Sequence, residues 1–160
     1  MNRLLSAINW RFTLILSLLV LLVLMVLNFY GLYTGRFYFL KVDNYIFPLL
    51  GILHFKYIHT MWLKIHKKGY PDAQIRNLEY GLYPVLLVYA FKASDTAYMI
   101  LNASGFDDAL LPQNFIPMAT TILALQIILI LITLLSFTHR KKKIGIYNFD
   151  KINENIDFWQ

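Results

Sequence analysis

Residues 12–30 read FTLILSLLVLLVLMVLNFY, a run of 19 residues without a charged side chain. At a rise of about 1.5 Å per residue, a helix of this length spans the hydrocarbon core of a bilayer, which is about 30 Å thick. The run exceeds the roughly 7–15 apolar residues of a secretory signal peptide, and no clear small-residue cleavage site follows it. It therefore predicts a retained transmembrane helix.

The composition of the whole chain agrees with a membrane protein. Of its 160 residues, 58% are hydrophobic and 15% are charged, whereas a soluble domain has about 45–50% apolar and about 25% charged residues. A chain this small cannot bury that excess in a core. These figures exclude a soluble enzyme, a nucleic-acid-binding module and a disordered tail. The absence of cysteine excludes disulfides, thiolate metal sites and iron–sulfur clusters.

Three further apolar segments follow, at about residues 45–63, 78–101 and 116–137. The second and third contain charged residues, and the third could instead end as a short helix near Lys92 and Asp95. With the first segment they predict an all-α fold: one integral membrane four-helix bundle that takes up the whole chain, with residues 138–160 as a basic and amphipathic tail.

The basic residues predict the orientation of the chain. Two, Arg36 and Lys41, lie in the first connection, and the third connection has none. Because basic loops stay in the cytoplasm, both termini are predicted to be cytoplasmic, and we expect a multi-pass protein of a bacterial cytoplasmic (inner) membrane. The basic residues predicted on the cytoplasmic side are eleven of the 15 in the chain: Arg3, Arg11, Lys64, Lys67, Lys68, Arg76, Arg140, Lys141, Lys142, Lys143 and Lys151.

The basic residues beside the membrane and the tail are candidate contact sites. Basic side chains there could hold anionic lipid head groups, although marking the topology is the simpler role. In the tail, apolar residues at spacings of 3, 4 and 3 predict a helical stripe that lies on the membrane surface or docks a partner. The candidates are Lys67, Lys68, Arg140, Lys141, Lys142, Lys143, Phe149, Ile152, Ile156 and Trp159.

Polar residues inside the predicted spans form a second candidate site. Counted along each helix, they lie roughly 9–16 Å below the outer edge of the membrane, so they could form one layer in its outer half. Such a layer could fix helix register through hydrogen bonds, relay protons or ions, or hold an anion on its two lysines. Ala90, Ala93 and Ala97 would allow a neighbouring helix to approach closely. The layer comprises His54, Lys56, Lys92, Asp95 and Gln126.

Metal and cofactor sites are not expected. His54 and His59 differ by five residues, which places them about 140° apart around a helix, so they cannot hold one metal ion together. A haem held by His59 and His139 is the one conceivable pair. No nucleophile–base motif or phosphate-binding loop is present, and an enzyme is therefore not favoured.

The predicted topology is similar to that of some immunity proteins against pore-forming bacteriocins, although no sequence motif carries the resemblance. It favours a non-enzymatic accessory, assembly or immunity-type subunit that acts through helix–helix contacts. Its expected partners are the lipid bilayer and other membrane subunits or a second copy, and no nucleic acid. The alternatives are a small transporter or channel subunit with a proton or ion relay, and a haem- or quinone-linked membrane enzyme subunit.

Overall fold

The computed structural model describes residues 9–105 and 111–147. The described chain is mainly helical and contains four long helices, which confirms the predicted number. They are α1 (Trp10–Leu27), α2 (Ile46–His66), α3 (Ala73–Leu101) and α4 (Phe115–Lys143). A 3-10 turn at Val42–Tyr45 precedes α2, and another at Ala103–Gly105 follows α3.

Helices α3 and α4 extend beyond their predicted apolar segments into polar sequence. Helix α3 begins at Ala73 and not near residue 78, because the Asp72 side chain caps it by accepting a hydrogen bond from the Ile75 N–H at 3.1 Å. It then continues through Lys92 and Asp95 without interruption. Helix α4 continues past residue 137, and its last turn is basic, a charge that favours the carbonyl end of a helix.

The connection after α1 adds a small β-hairpin to the predicted all-helical chain. Strand β1 (Tyr30–Gly31) pairs antiparallel with strand β2 (Arg36–Phe37). The turn between them needs Gly35, whose φ is +64°, a conformation that side chains with a Cβ disfavour. Helix α1 ends at Leu27, three residues before the end of the predicted segment.

Each long helix packs against two others: α1 contacts α2 and α4, and α3 contacts the same two helices. Residues at the ends of α1 and α3 and the starts of α2 and α4 line one cavity, together with the hairpin. We call this the hairpin end. The opposite end, where α1 and α3 begin and α2 and α4 finish, holds Lys67, Lys68 and the basic turn of α4, and we call it the basic end.

Apolar side chains occupy both the interior and the outer surface. Leu21, Tyr57, Met61, Leu82 and Leu129 are fully buried between the helices. Large apolar side chains are also exposed on every helix, and they include Phe12, Leu19, Leu49, Ile52, Leu87, Phe91, Ile127 and Leu131. In the described chain, α1 and α4 are the two helices long and apolar enough to cross a membrane by length and composition.

Candidate functional site

A cavity of about 460 Å³ lies at the hairpin end. All four helices and the hairpin contribute to its wall, so it exists only when the ends of the helices come together. Part of the wall is apolar, with Leu24, Phe47, Met99 and Ile122. The rest is polar, with side chains that include Tyr38, Lys41, Lys92, Asp95, Thr96 and Gln126.

Three residues of the predicted polar layer meet in this cavity. Lys92 and Asp95 are half-buried on α3, and Gln126 reaches the cavity from α4. The two α3 residues are three positions apart and therefore lie on one face of the helix. The structure thus brings together an ammonium group, a carboxylate and a side-chain amide.

These three side chains have unused hydrogen-bonding capacity. Gln126 is only 7% exposed, and its Oε1 has no hydrogen-bond partner among the described residues. In the same part of the chain, the side chains of Lys92 and Asp95 form no hydrogen bond and no ion pair, either with each other or with a neighbour. A buried polar atom without a partner costs about 1–3 kcal/mol. The wall of the cavity therefore presents two donor groups, the Lys92 ammonium and the Gln126 NH2, and two acceptor groups, the Asp95 carboxylate and Gln126 Oε1.

His54 lies apart from the cavity, in a buried cluster to which each helix contributes one side chain. Its Nε2 lies 3.3 Å from Ser17 Oγ and 3.5 Å from Thr133 Oγ1, and its Nδ1 lies 3.4 Å from the Tyr89 hydroxyl. We call these four residues the His54 cluster. The Thr133 hydroxyl donates to the Leu129 carbonyl at 2.6 Å, so its oxygen is left to accept from an Nε2–H. Nδ1 then accepts from Tyr89.

Lys56 is exposed on the outer surface of α2, away from the predicted polar layer. Two residues along an α-helix correspond to a rotation of about 200°, so a buried His54 places Lys56 on the opposite side. The predicted layer was based on the depth of each residue along its helix. Depth does not show the direction in which a side chain points around the helix axis. The predicted alanines are divided in the same way: Ala93 is buried, Ala97 is half-buried and Ala90 is exposed.

Arg140 departs from its predicted place in an exposed basic cluster. Its side chain is 8% exposed and its Nε lies 2.6 Å from Oε2 of Glu79, which is 3% exposed. One terminal nitrogen of Arg140 donates to Glu79 Oε1 at 2.7 Å, and the other donates to the Gly145 carbonyl at 2.9 Å. The physical reason is that a guanidinium at the end of α4 reaches a carboxylate at the start of the antiparallel α3.

Tyr147 completes this group, which we call the Arg140 cluster: Glu79, Arg140 and Tyr147. The Tyr147 hydroxyl donates to Glu79 Oε2 at 2.5 Å, and the Arg140 guanidinium carbon lies 4.1 Å from the centre of the Tyr147 ring. Burial raises the pKa of Tyr147, and its hydrogen bond to Glu79 and the negative charge there raise it further. The tyrosine therefore holds the chain after α4 against the interior.

The other predicted contact residues fall into two groups. The exposed ones at the basic end remain available to lipids or partners; they are Lys67, Lys68, Lys141, Lys142 and Lys143. The apolar stripe of the tail lies outside the described residues; it comprises Phe149, Ile152, Ile156 and Trp159.

The two histidines considered for a haem occupy different surroundings. His59 is exposed and stacks on Phe55 with ring centres 6.4 Å apart, whereas His139 is buried on α4. Within residues 9–105 and 111–147, no group of three or more histidine, cysteine, aspartate or glutamate side chains is arranged to hold a metal ion.

Several important side chains have no assigned role in the sequence analysis. Glu79 lies at the edge of the predicted third segment, and the predicted topology places it near the same end of the bundle as Arg140. The opposite charges of these two residues were therefore the signal that could have predicted their contact. Ser17, Tyr89 and Thr133 carry no such signal, because isolated hydroxyls in apolar helices are common and often bond to their own backbone.

Comparisons with known proteins identify no relative: the chain matches no family model, no curated protein and no solved structure.

Proposed function

We propose that the protein is an integral membrane protein whose four helices all cross the bilayer, with the basic end in the cytoplasm. The support is the exposed apolar surface on every helix, together with a polar interior. A surface of this extent is unusual for a soluble monomer. Helices α2 and α3 have 21 and 29 residues, enough to span about 30 Å. On α3, the charged residues Glu79, Lys92 and Asp95 point inward or into the cavity.

Labelling of single cysteines tests this topology, and the chain provides a clean background because it has no native cysteine. We expect Lys68→Cys and Lys142→Cys to react with an impermeant maleimide from one face of sealed vesicles. Arg36→Cys should react only from the other face. Labelling of Arg36→Cys and Lys68→Cys from the same side would contradict four crossings.

Within the membrane, we propose a non-enzymatic interaction subunit that acts through helix–helix contacts. The observation that carries this proposal is the position of Lys56. It lies ten residues from each end of α2, about 15 Å by the helical rise, and its side chain is exposed. Among the described residues it has no ion-pair partner. A charge at the middle of a membrane helix normally faces a partner, so we infer that another subunit, or a second copy, covers this face.

The proposed contact face of α2 surrounds Lys56 with exposed apolar and aromatic side chains: Leu49, Ile52, Phe55 and His59. The partner therefore offers an apolar helix with a carboxylate or another acceptor near mid-depth.

Photo-crosslinking from this face tests the contact. A photoreactive residue at Ile52 should crosslink to one discrete species in native membranes, and the same probe at Leu19, exposed on α1, should not. We expect Lys56→Leu to reduce the yield from Ile52 at least fivefold, with Lys68→Gln as the matched control. A crosslinking pattern that is the same at both positions and unaffected by Lys56→Leu would contradict the proposal.

A proton relay is the second candidate, favoured by polar groups at three levels of the interior. The cavity with Asp95 lies at the hairpin end, the His54 cluster lies between the helices, and the Arg140 cluster lies at the basic end. Asp95 and Glu79 are 16 positions apart on α3, about 24 Å along its axis. A proton gradient applied to proteoliposomes should dissipate faster with the wild-type protein than with Asp95→Asn. Equal rates in the two samples and in empty vesicles would exclude a relay.

A further inference from the structure

The hairpin-end cavity contains paired opposite charges that do not satisfy each other. We propose that it binds a zwitterionic amphiphile, whose anionic group contacts Lys92 and whose ammonium group donates to Asp95 and to Gln126 Oε1. This inference goes beyond the interaction role and does not depend on the contact at Lys56, which lies on the outer surface of a different helix.

Gln126 supplies the most specific part of the inference. The residue is 7% exposed and belongs to the cavity wall. Its Oε1 has no hydrogen-bond partner among the described residues. An apolar residue there would avoid the penalty of an unpaired acceptor. The ligand that removes the penalty carries an N–H or O–H donor at this point.

Lys92 and Asp95 determine the charge of the ligand. Each is half-buried in the cavity wall, and neither has an ion-pair partner in the described chain. A ligand with a single charge would satisfy one of them and displace water from the other without pairing it, which is unfavourable. A molecule with both charges satisfies both residues. Lys41 also lines the cavity but has an interaction within the chain.

The shape of the cavity favours an amphiphile over a purely polar ion. Its volume of about 460 Å³ lies in the range of small-molecule sites. Leu24, Phe47, Met99 and Ile122 form an apolar part of the wall beside the polar groups. Ethanolamine phosphate combines the required charges, whether it belongs to phosphatidylethanolamine in the bilayer or to free phosphoethanolamine in water.

Lipid retention by the full chain tests the proposal. The protein is reconstituted in nanodiscs that contain equal amounts of phosphatidylethanolamine, phosphatidylcholine and phosphatidylglycerol with identical acyl chains, and bound lipid is measured by native mass spectrometry. We expect phosphatidylethanolamine to be retained at least tenfold over the other two. Phosphatidylcholine has no N–H donor for Gln126, and phosphatidylglycerol has no ammonium for Asp95.

Three variants connect this selectivity to the cavity. Gln126→Leu and Asp95→Asn should each reduce the retention of phosphatidylethanolamine at least tenfold, whereas Ser94→Ala, exposed on α3 outside the cavity wall, should leave it unchanged. Gln126→Leu should fold at least as stably as the wild type, because it removes an unpaired acceptor; a thermal unfolding curve in lipid-free detergent checks this. Asp95→Asn is nearly isosteric, so its effect on phosphatidylethanolamine retention does not depend on a change in the packing of the cavity wall.

Competition with free phosphoethanolamine distinguishes the two sources of the ligand. If millimolar phosphoethanolamine displaces the bound lipid, the ligand comes from the water. If the lipid stays bound, the ligand is the lipid. Both results agree with a site for a zwitterion. Equal retention of the three lipids together with no binding of phosphoethanolamine overturns the proposal. So does a Gln126→Leu variant that binds like the wild type.

Discussion

Arg140 and Glu79 are 61 positions apart in the sequence and form a two-point ion pair in the interior of the basic end. A guanidinium group matches a carboxylate in this paired geometry better than a lysine could. The pair joins the last turn of α4 to the start of α3, and Tyr147 covers it from the segment after α4. The contact therefore holds three parts of the chain in one arrangement.

Removal of one member of this pair should strongly destabilise the fold. Glu79→Gln leaves the Arg140 charge buried without its counterion, and we expect a loss of about 3–5 kcal/mol. The double variant Glu79→Leu with Arg140→Leu should lose less than the sum of the two single variants, because it leaves no charge behind. Reversible unfolding in mixed detergent micelles measures the free energies.

The partly exposed pair of Lys64 and Asp72 provides the control for this experiment. Its atoms are 2.7 Å apart, but the Asp72 side chain is 47% exposed, so water screens the interaction. Lys64→Gln should cost at most about 1 kcal/mol. If Glu79→Gln is no more harmful than Lys64→Gln, the buried pair does not have the structural role described.

His54→Leu should destabilise the protein by about 1–3 kcal/mol, because it leaves the buried hydroxyl of Tyr89 without its acceptor and removes the contacts of Ser17 and Thr133. Thermal unfolding followed by circular dichroism measures the effect. His59→Leu is the matched control: it lies on the same helix, is exposed and should change stability by no more than about 0.5 kcal/mol. Equal effects of the two changes would show that the His54 cluster contributes little.

The contribution of Tyr147 to stability should disappear in alkali. The folded state raises the pKa of this phenol above its unfolded value, which is about 10. The stabilisation is therefore complete below pH 10 and is lost as the pH rises toward the folded pKa. The measurement is the difference in unfolding free energy between the wild type and Tyr147→Phe at several pH values. A difference that stays constant above pH 10 would contradict the hydrogen bond to Glu79.

Gly35→Ala should loosen the hairpin, because φ is +64° at this position and a Cβ disfavours that conformation by about 1 kcal/mol. Faster proteolysis or hydrogen exchange between β1 and β2 would report it. Gly105→Ala is the control: its φ is not positive, and among the described residues its added Cβ would meet no heavy atom within 4 Å. Unchanged exchange in Gly35→Ala would mean that the turn adopts another conformation.

The approximate positions of the four helices could be predicted because length and hydropathy are properties of contiguous residues. Helices α1 and α4 were predicted from their charge-free runs, and three of their four ends lie within a few residues of the predicted positions. The two largest differences are at the start of α3 and the end of α4, which lie five and six residues from their predicted positions. The first turns of α3 carry Arg76 and Glu79, and only the Asp72 cap shows where it begins. The hairpin was missed because strands of two residues have no detectable alternation.

The amino-acid order by itself determined the four helical segments and the alternation of basic-rich and basic-poor connections between them. Both features depend only on position along the chain. Which side chains meet depends on how every helix is rotated about its axis, and that rotation follows from the simultaneous packing of all four. The tertiary structure alone therefore decided that His54 faces inward while Lys56 faces outward. It also placed Arg140 on Glu79, and it brought Gln126 into the cavity of Lys92 and Asp95.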